Sequence, residues 1–179
     1  MRRRHLAFAA AAGVAGAAGV AGVAGALWHE KRRDDDAAAL AVGREVWQLR
    51  LPQPDGADFV MAALATPQVV INFWAPWCAP CVREMPVLDR FHRAHAARGW
   101  PVVGLALDTP QPVAQFLKRM PVSFPVALIG APGLSLSQRL GNSAGGLPFT
   151  VVVARNGEIL QRKVGETSFD ELVRWATAA

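Results

Sequence analysis

Residues 69–86 read VVINFWAPWCAPCVREMP, and the reading of this stretch decides the fold. Val69, Val70, Ile71 and Phe73 make an apolar β-type run, Ala75 and Pro76 turn it, and a helix is expected to open near Cys78. The chain's two cysteines, Cys78 and Cys81, both fall at that strand-to-helix junction as a C-x-x-C. A helix N-terminus presents unpaired N–H groups and the positive end of the helix dipole. A thiol held there ionises more readily than a free cysteine, whose pKa is about 8.5. The thiolate is the species that attacks a disulfide. The second sulfur lies about one turn into the helix, within reach of a mixed disulfide formed on the first. Cys78 is accordingly read as the nucleophile and Cys81 as the resolving thiol. Pro80 falls in the first helical turn, where a missing N–H is tolerated. Pro86 lies deeper and is expected to kink the helix by leaving the Val82 carbonyl without a donor.

Other uses of such a pair fit the chain less well. A purely structural bridge across so short a loop removes little chain entropy and stabilises poorly. Half of a tetrahedral zinc site would need a second C-x-x-C or an H-x3-5-H, and the chain has neither. Covalent haem attachment needs a histidine directly after the second cysteine, where this chain has Val82.

The segment FWAPWCAPC (73–81) resembles the active site of the thioredoxin superfamily, and CAPCVREMP (78–86) resembles its exported TlpA/ResA/CcmG-like branch of thiol-disulfide oxidoreductases. The resemblance runs from about Val46 to Trp175. It implies an α/β, thioredoxin-like fold: a central mixed sheet flanked by helices, with an N-terminal hairpin and a central helix-strand insertion. Thioredoxins carry a buried Asp where this chain has Asn72, and an amide cannot accept the resolving cysteine's proton. In the ResA-like branch a Glu three residues past the second cysteine takes that part, and Glu84 stands there. Glu84 is one helical turn from Cys81, so a partly buried carboxylate can exchange protons with the thiols.

A second constellation follows at residues 145–150, GGLPFT. The superfamily holds a cis-proline at the start of the strand that faces the C-x-x-C, and Pro148 matches it. Such a bond turns the backbone of Leu147 towards the cysteines, where an extended substrate can add as a strand. The resemblance therefore implies a protein-disulfide reductase with Cys78, Cys81 and Glu84 in the chemistry and Trp77, Leu147 and Pro148 in docking. Its partners would be protein thiols and disulfides, of the apocytochrome c or oxidase copper-site kind, with an upstream membrane thiol as electron donor. No cofactor or metal is called for, and the protein is expected to act as a monomer.

The leader points the same way. Arg2, Arg3 and Arg4 precede an uncharged run from Leu6 to Trp28, long enough to span a bilayer. Residues 1–28 are read as a signal peptide or an N-terminal membrane anchor, and three fates compete: an uncleaved anchor, a signal cleaved at the small residues Ala24-Gly25-Ala26, or a twin-arginine route addressed by the paired arginines. Residues 29–43 read as a polar linker and 44–179 as the thioredoxin-like domain, placed in the periplasm or another extracytoplasmic space. The net charge of +5 falls to +3 over residues 37–179, where 13 basic face 10 acidic side chains. No basic stripe with interleaved aromatics occurs, so nucleic-acid binding is not expected.

Within the domain, Arg44–Leu51 reads as an edge strand ended by the turn cluster Pro52–Gly56, and Phe59–Leu64 as a short apolar segment. The active-site helix should run to about Ala97, stopped by Gly99, with His92 and His95 as surface residues. Further strands are expected at 101–107, 122–126, 150–154 and 159–164. Helices are expected at 111–119, capped by Asp108-Thr109-Pro110, at 134–140, and at 169–176 with Ser168 as N-cap. That alternation is the pattern of an α/β layer protein. Two other functions share these features. A peroxide reductase uses the same fold, but the residues before Cys78 lack the Thr usual beside a peroxidatic cysteine. A copper-binding assembly factor would use Cys78, Cys81 and a histidine, but usually needs wider cysteine spacing and a distal His, and none lies near Pro148.

Overall fold

The computed structural model describes the backbone of residues 6–178 and the side chains of residues 26–178. The apolar leader expected as a signal or anchor lies mostly outside the described side chains. Among the described residues no helix is long and apolar enough to cross a membrane. Contacts divide the chain into two compact units, one ending at Ala38 and the other covering Ala39–Ala179. The first is helical, part of α1 (Leu6–Val46), and its residues 26–38 are exposed.

In the second unit the last turns of α1 carry Val42 and Val46 four residues apart, and both pack into the core. Residues 29–43, read as a linker, are thus helical, and the compact unit begins at Ala39 instead of Arg44. The edge strand expected over 44–51 shrinks to β1 (Arg50–Pro52), which pairs with β2 (Asp58–Val60) as the N-terminal hairpin. Trp47 joins no strand. It is buried, and its Nε1–H donates to the Ala154 carbonyl at 2.8 Å.

The main sheet has five strands in the order β5-β4-β3-β6-β7. Its centre is β3 (Gln68–Trp74), parallel to β4 (Val102–Ala106) and antiparallel to β6 (Phe149–Ala154). β5 (Val126–Leu128) extends one edge in parallel and β7 (Ile159–Val164) the other in antiparallel. β5 starts later than expected because Pro121 and Pro125 have no N–H. The ladder there begins with the Pro125 carbonyl, which accepts from Gly104 N–H at 3.0 Å.

Side chains alternate across β3. Val69, Ile71 and Phe73 enter the layer under α1 and α4 (Pro132–Arg139), while Val70 and Trp74 enter the layer under α2 (Ala79–His95), α3 (Pro110–Arg119) and α5 (Phe169–Thr177). The result is a thioredoxin-like, mixed sheet with helices on both faces. The helix and strand expected over residues 111–126 are α3 and β5. The Thr109 side chain makes no cap bond at the start of α3, whereas Ser168 and Glu171 form a reciprocal capping box at α5.

Two residues break the apolar run beneath α2. Asn72 lies between Val70 and Trp74 on β3, and Thr150 is its cross-strand partner on β6. Both are buried, so the sheet places a polar pair against the helix that carries the cysteines.

Candidate active site

β3 ends at Trp74, and the chain then turns through Ala75-Pro76-Trp77, with Cys78 N–H donating to the Ala75 carbonyl at 3.1 Å. Cys78 becomes the N-cap of α2 because its backbone is still extended (φ −87°, ψ 99°), and its sulfur accepts from Cys81 N–H at 3.3 Å. Pro80 occupies the first turn, where no intrahelical donor is needed, and Pro86 lies inside the helix. The sulfurs of Cys78 and Cys81 are bonded at 2.06 Å. The N–H directed at Cys78 Sγ and the positive helix end favour a thiolate there once the bond is reduced.

The two sulfurs are not equivalent. Cys78 lines a groove of about 530 Å3 together with Trp77, Pro80, Leu134, Gly145 and Leu147, whereas Cys81 does not and is 1% exposed. Trp77 is 70% exposed at the rim. The Leu147–Pro148 peptide is cis, Leu147 is half-buried and Pro148 is buried. Among the described residues neither the N–H nor the C=O of Leu147 has a hydrogen-bond partner, while the Pro148 carbonyl accepts from Gly165 N–H at 2.8 Å. The groove therefore offers one sulfur, an apolar wall and an unpaired length of backbone. A larger groove of about 600 Å3 lies between Gln53–Asp55, α3 and residues 121–126, and contains neither cysteine.

Behind the disulfide, Glu84 follows Cys81 by one turn of α2 and is 1% exposed. Its Oε1 accepts from Thr167 N–H at 2.7 Å and its Oε2 from Asn72 Nδ2–H at 3.0 Å. Asn72 Nδ2 also donates to Thr150 Oγ1 at 3.0 Å, and the hydroxyls of Thr167 and Thr150 are 3.3 Å apart. Burial pushes the Glu84 carboxyl above the usual carboxylate range. The bonds from Thr167 and Asn72 act against that, and the negative charge of Glu166 adds to it. Glu166 itself pairs with Arg83 at the surface, so residues 165–167 are tied both to α2 and to Pro148.

His92 and His95 lie further along α2, with other partners. His92 Nδ1 accepts from Val102 N–H at 3.0 Å, and the His95 ring stacks on Phe91 with centroids 4.5 Å apart. Among the described residues no group of three His, Cys, Asp or Glu side chains comes together as a metal site.

The structure brings Trp77, Cys78 and Leu147 to one groove and sets Cys81 and Glu84 beneath it. Thr150 and Thr167 were not singled out from the sequence. The signal for Thr150 is a polar residue at an inward position of the run FTVVVA, matched by Asn72 in VVINFW. Thr167 reaches Glu84 through its backbone, which no side-chain pattern announces.

Residues 41–174 match the family model described as Redoxin. A thiol-disulfide oxidoreductase ResA of Bacillus cereus is 26% identical over 139 residues, covering 76% of this chain and 78% of that protein. A thioredoxin-related protein from Neisseria meningitidis serogroup B superposes with a TM-score of 0.64 at 34% identity, over 72% of this chain and 96% of the other. A thiol:disulfide interchange protein of the thioredoxin family from Chlorobium tepidum TLS gives a TM-score of 0.65 at 25% identity, over 73% and 92%.

Proposed function

Since the chain belongs to the Redoxin family and is a thiol-disulfide oxidoreductase, we propose that it works outside the cytoplasm as a protein-disulfide reductase, with Cys78 attacking and Cys81 resolving. The observation that carries the assignment of roles is the unequal access of the two sulfurs: Cys78 lines the groove and Cys81 lies beneath it.

In the reduced protein the Cys78 thiolate attacks one sulfur of a substrate disulfide. That bond breaks, a mixed disulfide forms, and one substrate thiolate leaves and takes up a proton. Cys81 then passes its proton to Glu84, and the Cys81 thiolate attacks Cys78 Sγ. The Cys78–Cys81 bond forms as the mixed disulfide breaks, and the second substrate thiolate leaves, to be protonated from Glu84 or water. Two electrons move from the dithiol to the substrate, and an upstream membrane thiol restores them. Trp77 and Leu147 dock the substrate, whose extended backbone pairs with the free N–H and C=O of Leu147, and Pro148 fixes that segment. Substrates of the apocytochrome c or oxidase copper-site kind suit the reading, because their cysteines must be kept reduced in an oxidising compartment.

Export is supported by Arg2-Arg3-Arg4 ahead of the uncharged segment Leu6–Trp28, which serves as anchor or signal for the compact unit that begins at Ala39. Fusion of residues 1–43 to a reporter active only after export should give activity, and a silent fusion would contradict this part of the proposal. The roles are tested by mixing each reduced single-cysteine variant with insulin. Cys81→Ala should accumulate an insulin adduct that dithiothreitol releases, and Cys78→Ala should form none. Adducts on Cys78→Ala alone would reverse the assignment.

A further inference from the structure

Asn72 poses a problem in accounting for buried polar atoms. Its two amide protons are both used, on Glu84 Oε2 and on Thr150 Oγ1, while among the described residues its buried Oδ1 has no partner. A buried acceptor left unpaired on an apolar strand is unfavourable, and such groups call for an explanation. Glu84 supplies one, on the reading above in which it takes the resolving thiol's proton.

In its ionised form Glu84 needs donors, and it has them: Thr167 N–H on Oε1 and Asn72 Nδ2–H on Oε2. When the Cys81 proton takes the Oε2 lone pair directed at Asn72, a donor there faces another donor. The Asn72 amide removes the clash by a half-turn, which carries the unused Oδ1 to the Glu84 O–H. Thr150 follows without moving its backbone, since a hydroxyl accepts in one arrangement and donates in the other. We infer that Asn72 is the positioning residue of this proton transfer, its N–H holding Glu84 ionised and its Oδ1 receiving the Glu84 O–H afterwards. The half-turn leaves the amide protons where Oδ1 now lies, without partners. The turned state is therefore the less stable one and reverts when the proton leaves.

The charged and titratable groups around Glu84 are few. Cys78, Cys81 and Arg83 come from α2, and Glu166 comes from the segment carrying Thr167 and pairs with Arg83. β3 and β6 present no titratable side chain. Lys163, opposite Thr150 in register on β7, is held by Glu171 at 2.6 Å.

The test is the single-turnover reduction of insulin by the reduced full chain, from about pH 4 to about pH 9, for the wild type, Asn72→Leu and Glu84→Gln. Thiolate formation at the cysteines sets one acid limb of the profile in every variant, and Glu84→Gln should abolish the other, the limb set by Glu84. Asn72→Leu should keep that limb and move its midpoint upward by about one pH unit, a tenfold slower turnover below it. A second limb that survives in Glu84→Gln at the wild-type midpoint overturns the reading of Glu84 itself. A limb lost there but unmoved in Asn72→Leu overturns only the inference about Asn72. Should Asn72→Leu not fold, the wild type decides: in its reduced form the side-chain amide resonances of Asn72 should shift with pH at the limb's midpoint. Resonances fixed across that range overturn the inference.

Discussion

At the scale of single residues, Glu84 links stability to pH. Its carboxyl is raised above the usual range by burial, so the fold binds its proton more tightly than the unfolded chain does. The neutral form's contribution is full below the unfolded pKa of about 4.3 and is lost as pH rises through the higher folded value. Urea midpoints of the oxidised wild type should therefore fall across that window, and those of Glu84→Gln should fall less. Equal slopes would mean that Glu84 is not the group responsible. The resemblance to the ResA-like branch pointed to this residue, one helical turn from Cys81, but its burial comes from Asn72, Thr150 and Thr167, which lie 12 to 83 residues away in the chain. Spacing along one helix is legible in a sequence, whereas the far wall of a buried pocket is built by contacts that no local pattern contains.

At the scale of elements, His92 fastens the C-terminal part of α2 to β4. Its Nδ1 accepts from Val102 N–H, which only the neutral ring can do, and burial holds its pKa below the usual histidine value against the pull of Asp89. The stability it contributes is present above the unfolded pKa of about 6.5 and lost as pH falls through the lower folded value. His92→Phe should erase this pH dependence and cost about 1–3 kcal/mol, since Val102 N–H loses its partner. Urea melts over that range check both statements. Gly43 decides a second docking. A Cβ there would lie 1.9 Å from the Gly157 carbonyl oxygen, so the last turns of α1 can approach the β6–β7 turn only without a side chain. Gly43→Ala should lose about 1–3 kcal/mol by urea denaturation, and an unchanged midpoint would show that the contact matters little. The β-branched strands and the capped helices were readable because their periodicity is local. The helical course of 29–46 was not, because the polar run Lys31–Asp36 reads as a linker and the partner of Gly43 lies more than a hundred residues away.

At the scale of the whole molecule, the expected α/β layering and strand set came from alternation of apolar segments, and the thioredoxin-like form from the residues around the C-x-x-C. Pairing order, with β3 at the centre and the chain crossing to β6, depends on long-range contacts and became visible only in the fold. That order puts Trp77, Leu134 and Leu147 from three distant segments around one sulfur. The lining carries no charged side chain, so the groove suits an apolar stretch of protein beside a cystine. Trp77→Ala should slow reduction of insulin by about tenfold and that of glutathione disulfide much less, because an aromatic platform acts through contacts only a larger substrate makes. Equal slowing of both would place Trp77 in the chemistry.

The reduction potential of the Cys78/Cys81 couple in the full chain, equilibrated against dithiothreitol and glutathione, tests the assignment of a reductase most directly. A value near or below about −270 mV is the predicted result, that of a couple which gives up electrons and must be recharged by a dedicated thiol donor. A value close to about −120 mV would contradict it and make the protein a donor of disulfides.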